Sequence, residues 1–172
     1  MRLCTSVSRA EGQTSKQIVG KSRLHFTDNA QLRSYYEEKY RSGGYEGGGQ
    51  VVHGVDISAM YHARRMAVAL RFLAPRKSDL VLDAGCGRGD LAAEIAPLCQ
   101  TIQAVDIAPN ALDVHLLGIS NLKFHAMNLE SLDFPNEHFD AIVCLETLEH
   151  VLHPELAITE LARVLKRGGR LV

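Results

Sequence analysis

The segment that most constrains the fold is Leu80-Val81-Leu82-Asp83-Ala84-Gly85-Cys86-Gly87-Arg88-Gly89-Asp90. Leu80 to Leu82 is a short apolar run after the turn-forming Pro75-Arg76-Lys77-Ser78-Asp79, as suits a parallel strand covered on both faces. Gly85, Gly87 and Gly89 follow at every second position. Glycine accepts positive φ and has no Cβ, so the backbone can turn tightly here and let a ligand touch it. From Asp90 the apolar residues Leu91, Ile95 and Leu98 share one helical face. A strand that feeds a helix through a glycine turn is the first half of a nucleotide-binding βαβ unit.

Two nucleotide classes fit poorly. A dinucleotide fingerprint beginning at Gly85 requires Gly or Ala at position 90, where this chain has Asp90. A carboxylate in the first helical turn also repels a pyrophosphate. The phosphate loop G-x-x-x-x-G-K-[ST] is absent. The pattern D-x-G-x-G-x-G, with an acid at the strand end, suits a ligand that lacks phosphate and carries positive charge.

The rest of the chain alternates in the same way. Strands are predicted over 101–106, 122–127 and 139–144, with the opening of a fifth at 170–172. Helices are predicted over 58–73, 110–117 and 154–165. In the first, Ala63, Met66, Ala67, Leu70 and Leu73 form the apolar stripe, leaving Arg64, Arg65 and Arg71 on a solvated face. In the last, Pro154 suits the first position, Leu156, Ile158, Leu161, Ala162 and Leu165 form the stripe, and Gly168-Gly169 is the stop. This alternation predicts an α/β fold with a parallel sheet covered on both sides.

Residues 1–55 are organised differently. A polar, aperiodic tail leads to a short helix over 31–41 carrying Tyr35, Tyr36 and Tyr40. A glycine-rich loop follows at 42–49, readable as a linker or as a lid bearing Tyr45. The expected domain proper is 56–172.

Asp106 ends the second predicted strand, 17 residues after Gly89. An acid near that spacing is placed to accept the hydroxyls of an adenosine ribose. With it, five segments in order resemble the class I S-adenosylmethionine-dependent methyltransferases: V-L-D-A-G-C-G-R-G-D, A-V-D-I-A-P, N-L-E-S-L-D-F-P-N-E-H-F-D, C-L-E-T-L-E-H-V and R-V-L-K-R-G-G-R-L-V. The resemblance runs from about Asp79 to Val172. It implies a Rossmann-like three-layer αβα sandwich, S-adenosylmethionine as cofactor and methyl transfer to an O, N or C nucleophile of a small molecule. By the same resemblance Asp83, Gly85, Cys86 and Gly87 line the methionine half of the cofactor. Asp106 holds the ribose, Ile107 packs on the adenine, Asn128 and Leu129 meet its edge, and backbone at Cys144 and Leu145 faces the methionine amine. Asn128 stands where members often carry Asp; its amide oxygen can still accept the bond.

Glu146, Glu149, His150 and His153 would share one face of a helix. His150 is a candidate general base. Glu146, Glu149 and His150 are an alternative metal set, resembling that of small-RNA 2′-O-methyltransferases. A net charge of −1 counts against nucleic acid as a partner. The four cysteines form no C-x-x-C pair, which argues against a zinc or redox motif. No apolar run approaches membrane-spanning length and no secretory h-region is visible, so a cytoplasmic location is expected.

The family sheet has seven strands, and this sequence runs only into the fifth. The resemblance therefore implies that the C-terminal strands are missing and the sheet is open there, so that the chain binds cofactor weakly and methylates poorly alone; the alternative is a truncated cofactor-binding domain without turnover. On that expectation the last residues are poorly held, Ile142 and Val143 are less covered than Val81 and Leu82, and the open edge favours self-association.

Overall fold

The computed structural model of this protein describes residues 26–43, 51–52 and 55–172. The elements are helix α1 (Asn29–Arg41), a two-residue hairpin of β1 (Val51–Val52) and β2 (Val55–Asp56), α2 (Ile57–Leu73), β3 (Leu80–Ala84), α3 (Asp90–Ile95), β4 (Thr101–Asp106), β5 (Leu122–Ala126), β6 (Phe139–Val143), α4 (Pro154–Val164) and β7 (Leu165–Leu171). The glycine-rich loop with Tyr45 lies outside the described residues, apart from its first two.

Strands β3 to β7 form one sheet in the order β5-β4-β3-β6-β7, and every pairing is parallel. Alternate residues of β3 point to opposite layers. Val81 packs with Ala69 and Leu73 of α2 and Leu91 and Ile95 of α3. Leu82 packs with Ala157, Leu161 and Val164 of α4. Both faces of the central strands are therefore dry, which explains why they read as continuous apolar runs. The architecture is the Rossmann-like αβα sandwich that the motif order implied. The strand order reverses beside β3, and such a switch point leaves a crevice at the carboxyl ends of the strands.

Four expectations fail locally. Residues 110–117 do not form an α-helix; a short 3-10 turn covers Val114–Gly118, with Val114 and Leu117 exposed. Asp113 explains this: its carboxylate accepts the His115 amide at 3.0 Å and pairs with Arg88, a local bond that competes with helix. Helix α4 ends at Val164 and buries Ala157, Leu161 and Val164, so the stripe is rotated and Leu156 and Ile158 stay outside. Gly168-Gly169 then lies within β7 rather than closing the helix. Phe139 pairs with Leu165 but Ala141 with Arg170, and the irregularity between them takes up the extra residues, with Gly168 at φ +74°. The stripe of α2 is shifted too: Ala69 and Leu73 are buried, Met66 and Leu70 partly so, and Ala63 and Ala67 face out.

The expected weakness beside β6 is also absent. Ile142 and Val143 are 0% exposed, as are Val81 and Leu82. Strand β7 is longer than predicted and α4 lies over the same face. Val172 donates to the Ile142 carbonyl at 3.0 Å and accepts from the Cys144 amide at 2.8 Å. Arg170 reaches back to the Leu73 carbonyl at 2.7 Å and pairs with Asp79, fastening β7 to the end of α2. The last residues are held.

Candidate functional site

The crevice is a cleft of about 640 Å³ whose floor is the glycine turn and the ends of β3 and β4. The turn is pinned by two amides, Gly85 and Cys86, donating to the Val105 carbonyl at 2.8 and 2.9 Å. Gly85, Gly87 and Gly89 all have positive φ. At Gly85 a Cβ would overlap the Thr147 side chain, lying 2.8 Å from its Cβ even at the third-nearest atom. Thr147 sits there because its hydroxyl is within 3.0–3.4 Å of the Leu145, Ala84 and Gly85 carbonyls.

Two acids stand in the floor. Asp83 is 3% exposed. The Ala92 amide bonds its carboxylate, yet Oδ2 has no partner among the described residues. Burial, reinforced by the charge of Asp106, pushes Asp83 up to about 7. Asp106 is also buried, which raises its carboxyl above the usual range. Its own donors oppose that rise: Ala108 N at 3.0 Å on Oδ1, and Gly87 N at 3.1 Å with the Tyr40 hydroxyl at 3.4 Å on Oδ2.

The sequence candidates are mostly brought together. Asp83, Gly85, Cys86, Gly87, Asp106, Ile107, Asn128, Leu129, Leu145 and His150 all line the cleft. Asn128 Oδ1 already accepts the Glu130 amide at 3.0 Å, leaving one lone pair. Cys144 lies outside the lining, packed on the α4 side, and its amide is taken by Val172. Burial pushes the Cys86 thiol far up and that of Cys144 to about 11, so neither is a ready nucleophile.

The expected helical face of Glu146, Glu149, His150 and His153 does not form. Glu146 has φ +52° and only a short 3-10 turn follows, over Leu148–His150. Glu146 turns to Arg65 of α2 at 2.6 Å, and His153 pairs with Glu155. Among the described residues no three His, Cys, Asp or Glu side chains converge as a metal site. His150 is exposed and lies edge-on to the Tyr36 ring, centroids 6.1 Å apart.

Sequence reading missed the far wall. Leu32, Tyr36 and Tyr40 of α1, at intervals of four, face the cleft; that spacing was a readable signal. His62 and Arg65 of α2 also line it, pairing across to Asp90 at 3.9 Å and to Glu146. Nothing in the sequence separated Arg65 from its solvated neighbours Arg64 and Arg71.

Comparison with known proteins agrees with this arrangement. Residues 82–172 match the family described as "Methyltransferase domain". Over 103 residues the chain is 36% identical to a ubiquinone biosynthesis O-methyltransferase of Paracidovorax citrulli, covering 56% of this chain and 43% of that one. Over 107 residues it is 39% identical to the ubiquinone/menaquinone biosynthesis C-methyltransferase UbiE of Pseudomonas putida, covering 56% and 41%. The chain thus spans about two fifths of the length of these curated relatives. The crystal structure of YcgJ from Bacillus subtilis superposes with a TM-score of 0.61 at 31% identity, covering 64% of this chain and 49% of that one. The N-methyltransferase NodS of Bradyrhizobium japonicum, solved with S-adenosyl-L-homocysteine, shares the fold with a TM-score of 0.65 at 21% identity, covering 84% and 71%. With the family match spanning more than half its length, and with a parallel sheet that ends in a glycine turn between two acids, this chain belongs to the class I S-adenosylmethionine-dependent methyltransferases.

Proposed function

We propose that this chain binds S-adenosylmethionine in the cleft and transfers its methyl group to an O, N or C nucleophile of a small-molecule acceptor. The observation that carries the reading is the floor: a buried carboxylate oxygen on Asp83 without a donor among the described residues, beside a second buried acid at the glycine turn. A ligand with a cationic end and ribose hydroxyls satisfies both. The wall formed by Ile107, Met127 and Leu129 suits a flat base. The residues present therefore fit the cofactor.

Asp83 and the Leu145 backbone would hold the methionine end, and Asp106 the ribose. Cys144 can contribute only its carbonyl, since its amide is engaged. When bound, S-adenosylmethionine supplies a methyl group on a sulfonium, which is already an activated leaving group. What remains for the protein is to position the acceptor in line and exclude water. His150, exposed at the cleft edge beside Tyr36, would take a proton from a hydroxyl or amine. The relatives include both O- and C-methyltransferases, which supports acceptors of either kind.

Calorimetric titration with S-adenosylhomocysteine tests the site, and radiolabelled methyl transfer to a panel of phenols, amines and carbon acids tests the reaction. Saturable binding with turnover supports the reading. Binding without turnover on the panel reduces it to a cofactor-binding domain, and no binding by folded protein overturns it.

A further inference from the structure

The Asp106 carboxylate is largely occupied before any ligand arrives. A carboxylate offers about four lone-pair sites. Ala108 N, Gly87 N and the Tyr40 hydroxyl occupy three, leaving one. Two ribose hydroxyls need two sites, so at least one present donor has to leave. The two amides belong to the glycine turn and the strand end, and cannot withdraw without remodelling the floor. The Tyr40 bond is the longest of those measured, at 3.4 Å, and a side-chain rotation breaks it. Tyr40 also lies over the turn, its hydroxyl 3.4 Å from where a Cβ on Gly87 would stand.

We infer that Tyr40 is a positioning residue whose hydroxyl stands in for a ribose hydroxyl on Asp106, and that the cofactor displaces it on binding. The consequence is mechanical as well as energetic. Tyr40 shares helix α1 with Tyr36, which touches His150. Leu32 and Tyr36 dock α1 on Ala108 and Ala111, just beyond Asp106. Exchange of the Tyr40 bond is therefore made on the helix face that also carries the contact with His150. The inference rests on Asp106 as the ribose acid.

The test is a double-mutant cycle read by calorimetric titration with S-adenosylhomocysteine. Tyr40→Phe keeps the ring and removes the competing hydroxyl. It should bind about three- to tenfold more tightly than wild type, the span of one modest hydrogen bond. In an Asp106→Ala background the same change should have no effect, because the contested carboxylate is gone. A purely structural role for Tyr40 would give neither the gain nor its disappearance. Equal or weaker binding by Tyr40→Phe, or a gain that persists without Asp106, overturns the displacement while leaving the cofactor reading intact. Failure of folded wild-type protein to bind overturns both.

Discussion

The floor and the rim of the cleft are built on opposite principles. The floor is backbone and buried acid, with Asp83 and Asp106 3% and 8% exposed and the turn pinned to Val105. The rim is side chain and solvent: Arg65 with Glu146 and His62 with Asp90 bridge it, every partner between 44% and 62% exposed. Charges in the floor cannot relax into water, so each one constrains a ligand. Charges on the rim are screened and exchange partners cheaply. The floor should therefore carry affinity and pH dependence, and the rim should be tolerant.

The sharpest way to break that contrast is at Gly85. Gly85→Ala places a methyl group into Thr147 at φ +79°. Overpacking and left-handed strain together should cost about 2–4 kcal/mol. S-adenosylhomocysteine binding should vanish in calorimetry, with a clear drop in melting temperature. The structure makes Gly85 a tighter position than Gly87, where among the described residues a Cβ would meet the Tyr40 hydroxyl. Retained binding in Gly85→Ala would mean that the turn is not the cofactor cradle.

Next comes Asp106→Ala. Charge-assisted bonds to ribose hydroxyls are worth about 1.5–3 kcal/mol each. Binding should weaken at least about tenfold, with circular dichroism unchanged.

How much of this contrast was legible follows from the same physics. The floor was readable because glycine spacing, strand-end acids and apolar runs are local in sequence and have few structural solutions. The sheet and the glycine turn came directly from those signals, and the resemblance they carried implied the places of Asp83 and Asp106. The rim was not, because Arg65 and Glu146 meet through tertiary packing, and Glu146 in a left-handed conformation carries no sequence mark. Tyr36 and Tyr40 lay between, spaced as a helical face without a stated partner. Where helix-like periodicity misled, at 110–117 and at Gly168-Gly169, a local Asp113 bond and an irregular strand pairing decided the outcome.

The third test sharpens the floor by pH. Asp83 has a folded-state pKa of about 7 against an ordinary value of 3.8. Between those values the folded chain holds a proton that the unfolded chain has released. Stability should then fall as pH rises from about 4 to about 7, by at most about 1.4 kcal/mol per pH unit for this group, and level off above. Asp83→Asn should flatten that slope in urea titrations. A cationic ligand favours the charged carboxylate, so binding near neutral pH should release protons, measured as a dependence of the binding enthalpy on buffer ionisation. An unchanged slope in Asp83→Asn would place the titration elsewhere.

The smallest expected effect lies on the rim. Arg65→Ala removes the Glu146 pair, with partners 44% and 54% exposed, and should cost about 0–1 kcal/mol and less in raised salt. Glu146→Gly removes the same pair and also relieves the left-handed backbone at φ +52°, so its loss should be offset by strain relief of about 1 kcal/mol. The two variants thus differ in sign relative to each other although they delete one interaction: Glu146→Gly should be at least as stable as Arg65→Ala in urea unfolding. Both should bind S-adenosylhomocysteine within about twofold of wild type, since neither residue belongs to the floor. If Arg65→Ala instead weakens binding as strongly as Asp106→Ala, the rim carries affinity of its own, and the division between a constraining floor and a tolerant rim is wrong.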